Sequence, residues 1–168
     1  MNIPVLLQAA RRSRSARLKL DLMLPFAIPF NRPHGYRVRP LPEGGIRVHI
    51  PYWRVNFNHI RGIHACALAT AAEMCSGLSV LEHLDPRQYR LIMRSLHMDY
   101  HFQAKRAAFA ECRPDGAVIR EQVVEPLRTD DRVEYQSTVE VHDVDGHHLA
   151  TGTIVWQVKP WANVRTAR

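Results

Sequence analysis

The hydrophobic positions of this chain change period along its length, and each change predicts an element. Leu6, Leu7, Ala10, Leu18, Leu22 and Met23 recur at roughly helical spacing, which predicts an N-terminal helix across residues 3–24. Pro25, Pro29 and Pro33 follow and give an irregular connector. From His34 to Trp53 the pattern turns strand-like: Tyr36 and Val38, a Pro42-Glu43-Gly44-Gly45 turn, then Ile46, Val48 and Ile50. That is a hairpin. Between Ile63 and Leu78 almost every residue is Ala, Cys, Leu, Met, Ser, Thr or Gly, so a helix there is apolar nearly all round and must be buried by other structure.

After a break at Leu81–Pro86, the residues Leu96, Met98, Tyr100 and Phe102 alternate with His97, Asp99, His101 and Gln103. This is the period of a strand with one face on a core. Asp115-Gly116 and Asp145-Gly146 read as hairpin turns. They delimit strands near 105–113, 117–125 and 131–143, and the last partner runs from His147 to Pro160. Within 131–143, Val133, Tyr135, Val139 and Val141 alternate with Arg132, Glu134, Thr138 and Glu140, giving one dry and one wet face. Tyr100, Phe102, Tyr135 and Trp156 are expected in the core. With helix and sheet segregated, the fold class is α+β, an antiparallel sheet curved around one central helix.

The chain of 168 residues suits one domain. Residues 1–33 are read as an N-terminal helix and connector, 34–160 as the main domain, and 161–168 as a C-terminal tail. No apolar run reaches the ~20 residues that span a bilayer, and no basic region precedes Ile3–Leu7, so neither a membrane span nor a secretory signal is expected. The acid-free stretch Arg11–Arg17 matches an organellar presequence in composition and equally fits a solvated helix face. Cys66, Cys75 and Cys112 form no short paired spacing. Cys66 and Cys75 read as core filler, and a reducing cytoplasm is the simplest setting.

Lys and Arg number 23 against 16 acids, a formal net charge of +7, which favours anionic partners. The basic residues are spread from Arg11 to Arg168 without an aromatic-interleaved run. A ligand carrying phosphates is therefore expected rather than nucleic acid; the nucleic-acid alternative rests on Arg11–Lys19. His97, Asp99 and His101 share a strand face at metal-compatible types, but no further ligand is indicated and no metal site is expected. His142, His147 and His148 flank a hairpin tip and read as solvated.

Glu73 is the only charge inside the buried helix. A carboxylate there is costly unless paired, hydrogen-bonded or protonated, and a perturbed carboxyl is what general-base or nucleophilic work requires. Asn58 and His64 lie just upstream.

These residues resemble the PaaI-type and DUF4442-type acyl-CoA thioesterases of the hotdog fold, over residues 34–158. A typical pattern there is Asn or Gln, a His six residues on, usually a Gly next, and an Asp or Glu nine residues after the His. Asn58, His64, Ala65 and Glu73 keep both spacings. Ala65 stands where Gly is common, and Gly77 where many members carry Ser or Thr; Thr70, one turn before Glu73, is the candidate stand-in. The resemblance implies hydrolysis of an acyl-CoA or acyl-carrier-protein thioester, with coenzyme A as part of the substrate and no other cofactor. Glu73 would serve as base or nucleophile, Asn58 as a hydrogen bonder, His64 as loop orienter, and the helix start at Gly62–Ala65 as the carbonyl-polarising end. Lys105 and Arg106 are candidates for the phosphates, and aromatic residues could line an acyl tunnel. The alternatives are a non-catalytic acyl-thioester binder and a hydratase, although the His-Phe-Pro opening of the hydratases is absent.

Nine helical residues at 100° each place Glu73 about half a turn from His64 and ~13 Å along the axis. One chain can hardly bring both to a single carbonyl. A two-fold dimer can, and the expectation is a homodimer or a dimer of dimers with a composite site.

Overall fold

The computed structural model describes residues 2–164. A six-stranded antiparallel sheet runs in the order β1-β2-β4-β5-β6-β3. The strands are β1 (Arg37–Pro40), β2 (Ile46–Ile50), β3 (Tyr89–Tyr100), β4 (Ala108–Cys112), β5 (Val133–Asp143) and β6 (His148–Pro160). One long helix, α3 (Ala65–Leu81), packs against the inner face of β2 to β6. This is the expected α+β architecture. The α3 side chains are buried almost all round, from Ala67 and Leu68 through Val80, because its small residues let the sheet approach closely. Cys75 donates its thiol to Ile46 O at 3.1 Å, and Ser79 Oγ donates back to Cys75 O at 2.9 Å. The Cys75 and Ser79 side chains are thus satisfied without water.

The N-terminal region forms two helices where one was expected: α1 (Ile3–Arg12) and α2 (Arg14–Ala27). Ser13 adopts an extended conformation, and its hydroxyl accepts from Ala16 N–H, so a serine in the middle of the apolar pattern acts as a cap. Leu7, Ala10, Ala16, Leu20 and Leu24 join the same core as α3 and the sheet. Arg11 reaches Leu41 O at 2.9 Å and pairs with Glu82 at 2.7 Å, tying α1 to the C-terminal end of α3. Of the tail at 161–168, Trp161–Asn163 form a 3₁₀ turn, and residues 165–168 lie outside those described.

The hairpin of β1 and β2 and the turn at Asp145-Gly146 are as expected. Asp115-Gly116 is not a hairpin. Asp115 Oδ1 accepts from Ala117 N–H at 2.8 Å and starts a short helix, α4 (Gly116–Ile119), which continues as a π-helical turn over Arg120–Val124 and a 3₁₀ turn over Pro126–Arg128. The strand expected at 117–125 is therefore absent. Ile119, Val123 and Leu127 are the buried residues of this segment, at a spacing of four rather than two.

The alternating segment belongs to β3, which starts earlier and ends at Tyr100. Leu96 and Met98 pack on the core as expected, whereas Tyr100 and Phe102 are exposed, because β3 is a sheet edge and the chain leaves it there. Tyr135 and Trp156 are core residues. Cys66, on the first turn of α3, is exposed and fills no core; Cys75 and Cys112 are buried.

Gly77 is explained by Trp156. A Cβ at residue 77 would stand 2.9 Å from the indole, which is held in place by its Nε1–H donating to Ser76 Oγ at 2.9 Å. Gly77→Ser is therefore expected to overpack the core and lower stability by about 1–3 kcal/mol, read as a fall in melting temperature of roughly 2–4 °C per kcal/mol.

Candidate functional site

The loop from β2 to α3 is built around two asparagines. Asn58 N–H donates to Gly62 O at 2.8 Å, and Asn58 Oδ1 accepts from Ile60 N–H at 3.1 Å and Gly62 N–H at 2.9 Å. This closes a tight loop in which Arg61 takes the left-handed conformation, φ 57°, a strained state that the Asn58 bonds and the donation of Tyr52 Oη–H to Arg61 O hold in place. The side-chain oxygen of Asn58 is thus committed to the loop, and its Nδ2 has no partner among the described residues. Gly62 is buried against Ala104 and Gln103, so it serves the loop's packing.

Asn56, which the sequence pattern did not single out, is the hub. It is buried, donates through Nδ2 to His34 O and Pro51 O at 3.0 Å each, and accepts at Oδ1 from His34 Nδ1–H at 2.8 Å. Its own carbonyl accepts from His64 N–H at 2.7 Å. His64 is the N-cap of α3, with Nδ1 accepting from Cys66 N–H at 3.0 Å. Ala65, the first helical residue, is exposed, and its N–H has no partner among the described residues. Tyr100, also missed, donates to Ala65 O at 3.1 Å and fixes the helix start to the end of β3.

Glu73 lies two turns further along α3, half-buried. No hydrogen bond or ion pair reaches its carboxylate among the described residues, and burial alone pushes its pKa up. Thr70 lies beside the buried Tyr36 hydroxyl, which donates to Ala67 O at 2.9 Å; burial raises the phenol's pKa and the Thr70 hydrogen bond partly offsets it. Just across α3, buried Asn31 Nδ2–H donates to Met74 Sδ at 3.2 Å. The N-terminal segment therefore packs against the same stretch of helix that carries Glu73.

Lys105 and Arg106 lie in the β3–β4 loop, whose Ala104 O accepts from Ile63 N–H at 2.7 Å beside the helix entrance. Arg106 is paired with Asp145 at 2.8 Å, while Lys105 is exposed and unpaired among the described residues. The histidines at the β5–β6 tip are more engaged than expected: His147 pairs with Asp143 at 3.0 Å and stacks on Phe102, and His148 pairs with Glu140 at 2.7 Å. Asp143, Asp145 and His147 offer ligand atoms within 4.8 Å of one another. Asp143, however, already accepts from the backbone of Asp145 and His147, and Asp145 is taken by Arg106, so the group serves as a turn.

The Ala65 N–H at the helix start and the Glu73 carboxylate with its raised pKa thus lie on the same helix, without a partner among the described residues. Comparison with known proteins bears on the fold and family. A protein of unknown function from Pseudomonas aeruginosa, described as a probable thioesterase, is 26% identical, with a TM-score of 0.75 over 85% of this chain and 95% of that one. A thioesterase from the same organism, solved as a glutamine-to-alanine variant, is 12% identical with a TM-score of 0.68, covering 90% of this chain and 99% of that one. A thioesterase family protein from Silicibacter pomeroyi is 13% identical with a TM-score of 0.63, covering 86% and 98%. The last two establish the shared fold. No curated protein matches the chain. No helix among the described residues is long and apolar enough to cross a membrane. The profile of a domain of unknown function, DUF4442, matches residues 17–158, and the chain belongs to that family, with the hotdog fold.

Proposed function

We propose that this protein hydrolyses acyl-CoA or acyl-carrier-protein thioesters, in a site shared by two chains. The observation that carries this reading is the unpartnered, half-buried Glu73 carboxylate on the helix whose first N–H, at Ala65, is also free. The thioester carbonyl would accept from Ala65 N–H, where the α3 dipole adds partial positive charge. Water held by Glu73 attacks the carbonyl carbon and gives its proton to the carboxylate. The tetrahedral oxyanion rests on Ala65 N–H; its collapse breaks the C–S bond, and the thiolate takes the proton back from Glu73. Direct attack by Glu73 through an anhydride uses the same two groups. A raised pKa suits the carboxylate to general-base work near neutral pH. Asn58 Nδ2 is available to the water or carbonyl, and Lys105 to a substrate phosphate.

The dimer is supported by β3. It is a 12-residue edge strand with an unpaired outer side, and Ile92, Met93 and Tyr100 are exposed on it. Such an edge is a template for pairing with another strand. Pairing two β3 strands would set two α3 helices side by side, one chain's Ala65 near the other's Glu73. A binding-only reading has one observation in its favour, the absence of a hydroxyl at Gly77.

Free-thiol release from short, medium, long and aromatic acyl-CoAs should fall at least ~100-fold in Glu73→Gln. Equal rates would displace Glu73 from the site, and tight acyl-CoA binding without turnover would favour the binder. Ala65→Pro keeps a residue favoured at the first helical position and removes only the N–H, so kcat should drop ~10²–10³-fold with the melting temperature little changed. Each variant alone would be inactive, but a mixed dimer of the two regains one intact site if the site is composite. No recovery in verified mixed dimers would place both groups in one chain.

Burial also sets a pH signature. The folded state holds the Glu73 proton above the ordinary value of 4.5, so its contribution to stability is fully present below that value and is lost as pH rises through the raised folded pKa. Glu73→Gln should therefore melt above the wild type at neutral pH, with the gap closing as pH falls toward 4.5; a gap independent of pH would contradict the raised pKa.

A further inference from the structure

The two N-terminal helices lie along β1, at the opposite sheet edge from β3. One side of α2 is covered: Ala16, Leu20 and Leu24, four apart, are buried in the core. A second row at the same spacing, Leu18, Leu22 and Phe26, points outward with 70%, 65% and 66% of its surface exposed, and Phe30 just beyond is 70% exposed. Met23 widens the row. The helix is apolar on two sides, and the described residues cover only one of them. Large apolar side chains aligned in this way on a surface mark an interaction site.

The charge around the row is one-sided. Residues 2–34 contain Arg11, Arg12, Arg14, Arg17, Lys19 and Arg32 against a single acid, Asp21. Asp21 is held by both terminal nitrogens of Arg39, at 2.7 and 2.8 Å. Arg11 is committed to Glu82, and Arg17 Nε donates to Ala10 O at 2.9 Å. That leaves Arg12, Arg14, Lys19 and Arg32 exposed and without an ion pair among the described residues, with the Arg32 guanidinium 5.3 Å from the centre of the Phe26 ring.

We propose that α2 and Phe30 form a docking surface for an anionic lipid bilayer. Leu18, Leu22, Met23, Phe26 and Phe30 enter the boundary of the acyl region, and the four cations meet the headgroup phosphates. A second copy of the chain fits this face less well. Two-fold pairing sets each patch against itself, so the cations would face one another with no carboxylate between them. The docking surface stands apart from the thioesterase reading, which uses α3 and the β3 edge.

The test is flotation of the full chain with vesicles of phosphatidylcholine alone and of phosphatidylcholine mixed with phosphatidylglycerol. Two variants accompany it, Leu18→Gln/Leu22→Gln/Phe26→Gln and Arg14→Glu/Lys19→Glu, with melting curves and solution mass measured on each. The wild type should bind the mixed vesicles, and at least ~10-fold more weakly the neutral ones. Both variants should lose at least ~10-fold in binding to mixed vesicles while melting temperature and oligomer mass stay unchanged. Absence of wild-type binding to the mixed vesicles, or variants that bind them as well as the wild type, would overturn the proposal. A triple variant that falls to a smaller oligomer would also overturn it and assign the face to a second copy.

Discussion

Burial of α3 is the constraint on which the rest of the structure depends. A helix this apolar cannot face water on any side, so the sheet must curve around it. Each large side chain it buries, Leu68, Met74, Leu78 and Val80 among them, contributes about 1.5–3 kcal/mol relative to exposure. The close fit has its own requirement in the pairing of Gly77 with Trp156, where the missing side chain on the helix makes room for the indole of β6. Glu73 runs against this tendency. The surroundings that exclude water from α3 also deprive its carboxylate of solvent, and no cation among the described residues answers it. A carboxylate so placed is what the proposed general-base role would use.

The second organising feature is the Asn56 hub, which joins three parts of the chain that are remote in sequence. Through His34 it receives the N-terminal segment, through Pro51 the end of β2, and through His64 N–H the start of α3. Because Tyr100 adds the end of β3, the Ala65 backbone is fixed from several directions. The proposed oxyanion role would draw on that, since fixed donors stabilise developing charge without reorganising at the moment of reaction. The N-terminal helices, sharing the core and reaching Met74 through Asn31, belong to this support.

The elements legible in the sequence were those whose pattern had one structural meaning. The all-apolar run at Ile63–Leu78, the alternation at Ile46–Ile50 and the Asp145-Gly146 turn each had one; the spacing of Asn58, His64 and Glu73 had two, since an amide that closes a loop, as Asn58 does, and one that meets a substrate share it. Asp115-Gly116 had two, since aspartate before glycine can close a hairpin or cap a helix, and the burial of Ile119, Val123 and Leu127 at intervals of four decides for the cap. Ser13 was similarly ambiguous between a helix interior and a double cap. Asn56 was invisible because its importance lies in bonds to Pro51 and to a histidine 22 residues away. Tyr100 and Phe102 were placed in the core because alternation reveals a strand's faces, whereas only the order of strands reveals that β3 is an edge.

Among the described residues, apolar side chains stand bare along β3 and along α2, and the backbone at each decides what can cover it. Along β3 an unpaired row of N–H and C=O groups faces outward beside Ile92 and Met93. Hydrocarbon cannot satisfy those groups, so the partner there must itself offer a strand. In α2 the helix satisfies its own backbone, and what remains exposed is side chain: an apolar row with cations beside it. A medium without hydrogen-bonding groups in its interior and with negative charge at its surface meets that description. The two surfaces therefore ask for different partners, a strand at one edge of the sheet and, as proposed, an anionic lipid layer at the other. Since they lie at opposite edges, a dimer formed through β3 keeps α2 free on both of its flanks.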